Sequence, residues 1–182
     1  GTRTPPSYGR EACRALVRPV AAARIPIISG LALGIDTEAH ITTLSEQGST
    51  LAVLGSGLHR NVLYPASNKR LADEIINKGG ALISEFPITF KASQWTFPLR
   101  NRIIAGLASA VLVVEAREKS GTRITARYAA EYNRDVLTVP GSIFSTNSWT
   151  PHFLIKEGAT PVTSADDIFE ALGVSKTYPE TE

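Results

Sequence analysis

The chemistry this sequence could carry is concentrated in short runs of Gly, Ser and Thr. Gly1-Thr2-Arg3, Ser29-Gly30-Leu31-Ala32-Leu33-Gly34-Ile35-Asp36, Gly55-Ser56-Gly57, Lys119-Ser120-Gly121-Thr122 and Pro140-Gly141-Ser142 are the main ones. Glycine lets a backbone approach a ligand closely. The unpaired amides and dipole of a helix N-terminus favour an anion. Several such turns at one sheet edge would make a phosphate site. They do not spell G-x-G-x-x-G or G-x-x-x-x-G-K-[ST], so an ordinary dinucleotide or nucleoside-triphosphate site is disfavoured. Arg3, Lys69, Arg70, Arg100, Arg102, Lys119 and Arg123 are the candidate cations for the same rim. Collected there, they would hold a polyanion with salt-sensitive affinity. Taken singly, a Lys or Arg is more often a solvated surface group.

Other residues invite an acid–base reading. Asp36 and His40 are four apart and share one helix face. A catalytic dyad is conceivable, but a structural role is favoured, with His40 satisfied by a loop. Glu85 and Glu115 end apolar runs near the presumed rim. Two carboxylates there could support hydrolysis. A phosphate site has little use for exposed acids, so both are expected to pair inward, Arg102 with Glu115 being one such pair. Asn101 and Arg102 are expected to order the loops. Tyr64, Trp95 and Phe97 are candidate stacking rings, although an aromatic beside a loop is more often packing.

Composition narrows the field. The chain has 182 residues, 43% hydrophobic and 20% charged, with a net charge of +2. That is about one globular domain, without a histone-like coat of charge. One cysteine, Cys13, excludes an intramolecular disulfide and a multi-cysteine zinc site, and suits a reducing compartment. Three His leave little for a metal centre. No apolar run reaches the ~20 residues that span a bilayer, and no signal peptide opens the chain.

The elements that must position these residues alternate in type. Ile25–Ser29, Thr50–Leu54, Ala81–Glu85, Ala110–Glu115 and Val136–Val139 read as strands buried on both faces, hence parallel. Helices are expected over Gly9–Ala23, Thr37–Gln47, Leu71–Lys78, Arg102–Ser109 and Ile124–Tyr132. A final helix starts at Ser164, capped with Asp167 and ended by Gly173. Strand–helix repetition means an α/β fold, a doubly wound, mostly parallel sheet with helices on both faces. Its ligands would sit beyond the carboxyl ends of the strands. The Gly1-Thr2-Arg3 loop reads as following a strand that precedes this chain. One domain is expected over 1–173, with a polar tail or linker over 174–182.

Longer blocks are more specific. Ser29 to His40 resembles the SGLAxGIDxxAH signature of the DNA-processing protein A (DprA/Smf) family. Gly1-Thr2-Arg3, Tyr64-Pro65 through Leu71, Ser84-Glu85, Phe97 to Leu107, Glu115 to Ala126, Val139 to Ser142 and Leu154 to Ala159 are similar to its other motifs. The resemblance covers Gly1 to about Leu172. It implies an extended Rossmann-like domain that binds single-stranded DNA, protects incoming strands in natural transformation and helps load the RecA recombinase. Homodimers in the cytoplasm, no cofactor and no catalytic step are implied as well. Arg3 and Lys69 match the principal DNA-contacting residues. Ser29, Gly30, Gly34, Arg70, Asn101, Arg102, Ser120 and Gly121 complete the expected site. His152, Ile155 and Pro161 match the self-association surface. The loop from Leu58 to Leu63 is longer than expected, Arg123 takes a position where an aliphatic residue is common, and Ser145 to Pro151 lacks the usual run. The alternatives are a phosphoribohydrolase-type enzyme and a nucleotide sensor. The enzyme reading is disfavoured because Ser120 to Thr125 lacks that class's PGGxGTxxE motif.

Overall fold

The computed structural model describes residues 1–174. Strands β1 (Ile27–Ser29), β2 (Thr50–Val53) and β3 (Ala81–Ile83) form a parallel sheet in that order. Strands β4 (Ala110–Val113), β5 (Asp135–Thr138) and β6 (Thr160–Pro161) form a second, also parallel. Among the described residues seven α-helices connect and flank them: α1 (Ser7–Ala22), α2 (Ile35–Ser45), α3 (Lys69–Asn77), α4 (Thr96–Leu107), α5 (Thr122–Glu131), α6 (Trp149–Lys156) and α7 (Ala165–Leu172).

Helices cover both faces, as expected. On one, Val114, Leu137 and Val139 pack with Cys13, Leu16 and Val17 of α1 and with Ile168 and Phe169 of α7. On the other, Val111 and Val113 meet Ala105 of α4, Ala126 and Ala129 of α5 and Leu154 of α6. Alternate β4 side chains thus feed opposite cores, which is why its run reads as continuously apolar. A third core joins Ala52 and Leu54 to Leu71, Ala72 and Ile75 of α3.

All five expected strands are present. Helix α4 begins at Thr96, earlier than the expected Arg102, because Pro98 sits in the first turn, where a missing N–H costs nothing. Helix α6 was not expected, and Pro151 occupies the same early position in it. The Ser164/Asp167 capping box and the left-handed Gly173 that ends α7 are both present. Beyond Val174, the expected tail lies outside the described residues.

A cleft of about 1170 Å³ opens at the strand ends and continues down between β1 and β4. Its deep part is apolar, lined among others by Val17, Ile27, Ile104 and Leu112. Across it, β1 and β4 belong to separate sheets and share no ladder.

Candidate nucleic-acid interface

The mouth of the cleft is built from loops that follow strands. The N-terminal segment crosses it: Thr2 N–H donates to Glu115 O at 2.7 Å, and Ile35 N–H donates to Thr2 O at 3.1 Å. Gly34 makes room for this crossing. Its φ is +83°, and a Cβ there would stand 2.3 Å from Thr2 O. Arg3 is thereby held at the surface with its guanidinium 5.8 Å from the centre of the Phe97 ring.

Asp36 closes the loop after β1 by accepting from Gly30 N–H at 3.0 Å and Ala32 N–H at 3.3 Å. Asn68 ties the next loop to it, donating to Leu31 O and Thr37 Oγ1, both at 2.9 Å. That tether sets the start of α3, where half-buried Lys69 and exposed Arg70 lie. Ser120 orders the loop before α5, accepting from Thr122 N–H at 3.2 Å and bonding its hydroxyl at 2.9 Å.

One turn of α4 braces both halves of the molecule. Arg100 is 4% exposed. It donates to Gly30 O at 2.8 Å, to Val53 O, and to Asn101 Oδ1 at 3.1 Å. Asn101 donates onward to Gly121 O at 3.3 Å. Burial pushes the Arg100 pKa down, and Asp36 pulls it back up. Arg100 is therefore an interior strut, not the rim cation its position suggested.

Arg3, Ser29, Asn101, Ser120 and Gly121 line one cleft, together with Tyr64, Phe97 and Lys119. Lys69 and Arg70 lie outside it. Gly30 and Gly34 act through backbone geometry. Arg102 pairs with Glu85, not with Glu115. Glu115 is 3% exposed, with Oε2 lacking a hydrogen-bond partner, and burial raises its pKa. The predicted Arg102–Glu115 pair is thus wrong, because Glu115 turns into the interior while Glu85 stays at the surface. Arg123 lies over Phe153 at 4.3 Å and Trp149 at 5.2 Å.

Several of the loop amides expected to face a ligand are already engaged within the protein. Gly30 and Ala32 N–H are taken by Asp36, and Gly57 N–H donates to Phe90 O. At α5, Thr122, Arg123 and Ile124 N–H go to Ser120 and Gly121. Arg3, Lys69, Arg70 and Lys119 form no ion pair among the described residues. Tyr64 is 49% exposed, its ring 5.5 Å from that of Phe97.

His40 is fully buried, its Nδ1 2.7 Å from Thr50 Oγ1, which donates to Ile27 O. Since that hydroxyl proton is already committed, Nδ1 carries the proton to Thr50. Burial lowers the His40 pKa to about 4, so the ring is neutral and structural at pH 7. Cys13 is buried too, its thiol pushed up to about 12 by burial. Among the described residues no cluster could hold a metal ion, and no helix is long and apolar enough to cross a membrane. His152 bonds Gly141 O at 3.0 Å, and the three predicted self-association residues fall on α6 (His152, Ile155) and β6 (Pro161).

Parallel strands ending in ordered loops around a cationic, partly aromatic cleft define a Rossmann-like binding domain. The family described as DNA recombination-mediator protein A matches residues 1–173, and the chain belongs to it. It is 45% identical over 172 residues to protein Smf of Escherichia coli, covering 94% of this chain and 46% of that protein. It is 42% identical over 172 residues to DNA processing protein DprA of Bacillus subtilis, covering 94% and 57% respectively. The chain thus spans about half the length of these relatives. The X-ray structure of DprA from Streptococcus pneumoniae superposes with a TM-score of 0.85 at 42% identity, covering 93% of this chain and 59% of that one. DNA processing protein A from Helicobacter pylori, solved for its single-stranded DNA binding mode, gives 0.83 at 28% identity, covering 94% and 77%.

Proposed function

We propose that this domain binds single-stranded DNA at the cleft mouth and acts without a catalytic step. Four cations that form no ion pair among the described residues carry the reading: Arg3, Lys69, Arg70 and Lys119. Arg3 and Lys119 line the cleft beside the exposed Tyr64 and the half-buried Phe97, with Lys69 and Arg70 on α3 outside it, while Asp36 is held by loop amides, Glu85 is paired with Arg102 at the surface and Glu115 is buried. Cations on phosphates and rings on bases hold a single strand without reading its sequence. With Ser29, Asn101, Ser120 and Gly121 as walls, the cleft suits an exposed base or phosphate. The single-stranded DNA binding of the Helicobacter pylori relative supports this reading.

Membership of the family extends the proposal to recombination. The domain hands bound single strands to the RecA recombinase in the cytoplasm, as a homodimer. Ile143 (80% exposed) and Phe144 (91% exposed) project beside His152 and favour self-association there.

Binding of labelled oligodeoxythymidine by gel shift or anisotropy tests the site. Arg3→Ala and Lys69→Ala each weaken it, and unchanged affinity in both refutes the assignment. Robust nucleotide hydrolysis abolished by Glu85→Gln would establish an enzyme instead.

A further inference from the structure

The cleft mouth accounts for Tyr64 and Phe97 but not for a second aromatic group beside it. Phe86, Phe90 and Trp95, in the segment between β3 and α4, pack as one cluster. Phe86 and Phe90 stack at 5.2 Å, and Trp95 meets them edge-on at 5.9 and 6.0 Å. The two Phe rings are partly buried, whereas Trp95 is 57% exposed. Lys91, exposed and in no ion pair among the described residues, sits in the same segment.

This segment is fixed against the cleft. Gly57 N–H donates to Phe90 O at 2.9 Å, His59 N–H donates to Ile88 O at 2.8 Å, and Ser84 Oγ donates to Ser56 O at 2.6 Å. Gly57 leaves no gap, since a Cβ there would stand 2.1 Å from Pro87 O. On the other side, a Cβ at Gly55 would stand 2.7 Å from the Phe97 ring. The Gly55–Gly57 loop is thus pressed between the Phe97 ring, under Arg3, and the Pro87–Phe90 backbone that carries the second cluster. Gln94, next to Trp95, lines the cleft itself.

We infer that Trp95, braced by Phe86 and Phe90 and accompanied by Lys91, is a stacking ledge for nucleotides of a single strand that continues past the cleft. The inference rests on the cleft being the DNA site. An exposed indole held by two rings presents a π-face with its position already fixed, and stacking on such a face tolerates any base. Lys91 supplies the phosphate partner, and Arg102 offsets the charge of the adjacent Glu85. Continuity with the cationic cleft mouth favours nucleic acid over a protein partner.

The test uses the two tryptophans of the chain, Trp95 and Trp149. Trp149→Phe leaves Trp95 as the sole indole and keeps a ring over Phe153. Oligodeoxythymidine of about 16 nucleotides should quench its fluorescence, and added salt should restore it. Trp95→Ala should weaken that oligomer about 5- to 150-fold, the loss expected for one stacked base. A tetramer that fills only the cleft should bind Trp95→Ala unchanged, and Trp95→Phe should recover much of the long-oligomer affinity. Undiminished long-oligomer binding by Trp95→Ala, or an unquenched Trp95 in protein shown by anisotropy to be bound, overturns the ledge and leaves the cleft standing. A native protein that binds neither oligomer overturns both.

Discussion

Removing the Arg3 guanidinium isolates one phosphate contact in a site where the cations can be counted. Arg3, Lys69, Arg70 and Lys119, the four cations proposed for the site, form no ion pair among the described residues. Each phosphate neutralised on a single strand adds about 0.7 to the slope of log affinity against log salt, so four give a slope of about −2.8. Between 50 and 200 mM salt, the native domain should then lose about 50-fold in affinity for a short oligodeoxythymidine. Arg3→Ala should bring the slope to about −2.1 and the loss to about 20-fold. A lost charge-assisted hydrogen bond also lowers affinity at fixed salt by about tenfold or more. Anisotropy titrations at several salt concentrations measure both quantities. Arg18→Ala is the control, because Arg18 pairs with Glu46 at 2.9 Å. Slopes that coincide for native and Arg3→Ala proteins, or an equal drop for Arg18→Ala, would refute the reasoning.

Other outcomes follow from the same geometry. Gly34→Ala forces a strained left-handed residue against Thr2 O, so it should displace Arg3 and weaken DNA binding, while circular dichroism shows the fold retained. Arg100→Ala leaves Gly30 O and Val53 O without their buried donor and should cost about 3 kcal/mol in urea unfolding. His40 has a folded-state pKa lowered from 6.5 to about 4, so the unfolded chain binds the proton more readily. Stability is therefore full above about pH 6.5 and falls by about 3 kcal/mol as pH drops toward 4, a trend that His40→Gln should flatten. Glu115, raised by burial, acts with the opposite sign and remains in that variant as the background.

The sequence reading succeeded where local pattern and burial coincide. The apolar run at Ala110–Glu115 has to be buried on both faces, and the structure sends Val111 and Val114 into different cores. The Ser164–Asp167 cap and Gly173 were legible because capping needs only local backbone. Prolines misled where they sit in first turns: Pro98 hid the start of α4, and Pro151 helped to hide α6. Long-range pairing was not legible. Glu85 and Glu115 both end strands, and only the turn of the chain decides that Arg102 meets the first. The Gly-rich loops do look like anion cradles. That Asp36 spends its carboxylate on Gly30 and Ala32 depends on a folded loop that spacing alone does not reveal. The role of Asn68, which holds the α3 end to the β1 loop, is equally a matter of tertiary contact.

The most direct test of the central claim is a nitrogen-15 shift titration of the domain with oligodeoxythymidine. The account predicts that the largest amide shifts fall at Arg3, Lys69 and Arg70, in the loop around Tyr64, and at Lys119 to Gly121, with saturation at one strand per site. Shifts confined to α6 and the Ile143–Phe144 loop, or absent throughout at saturating oligomer, would contradict it.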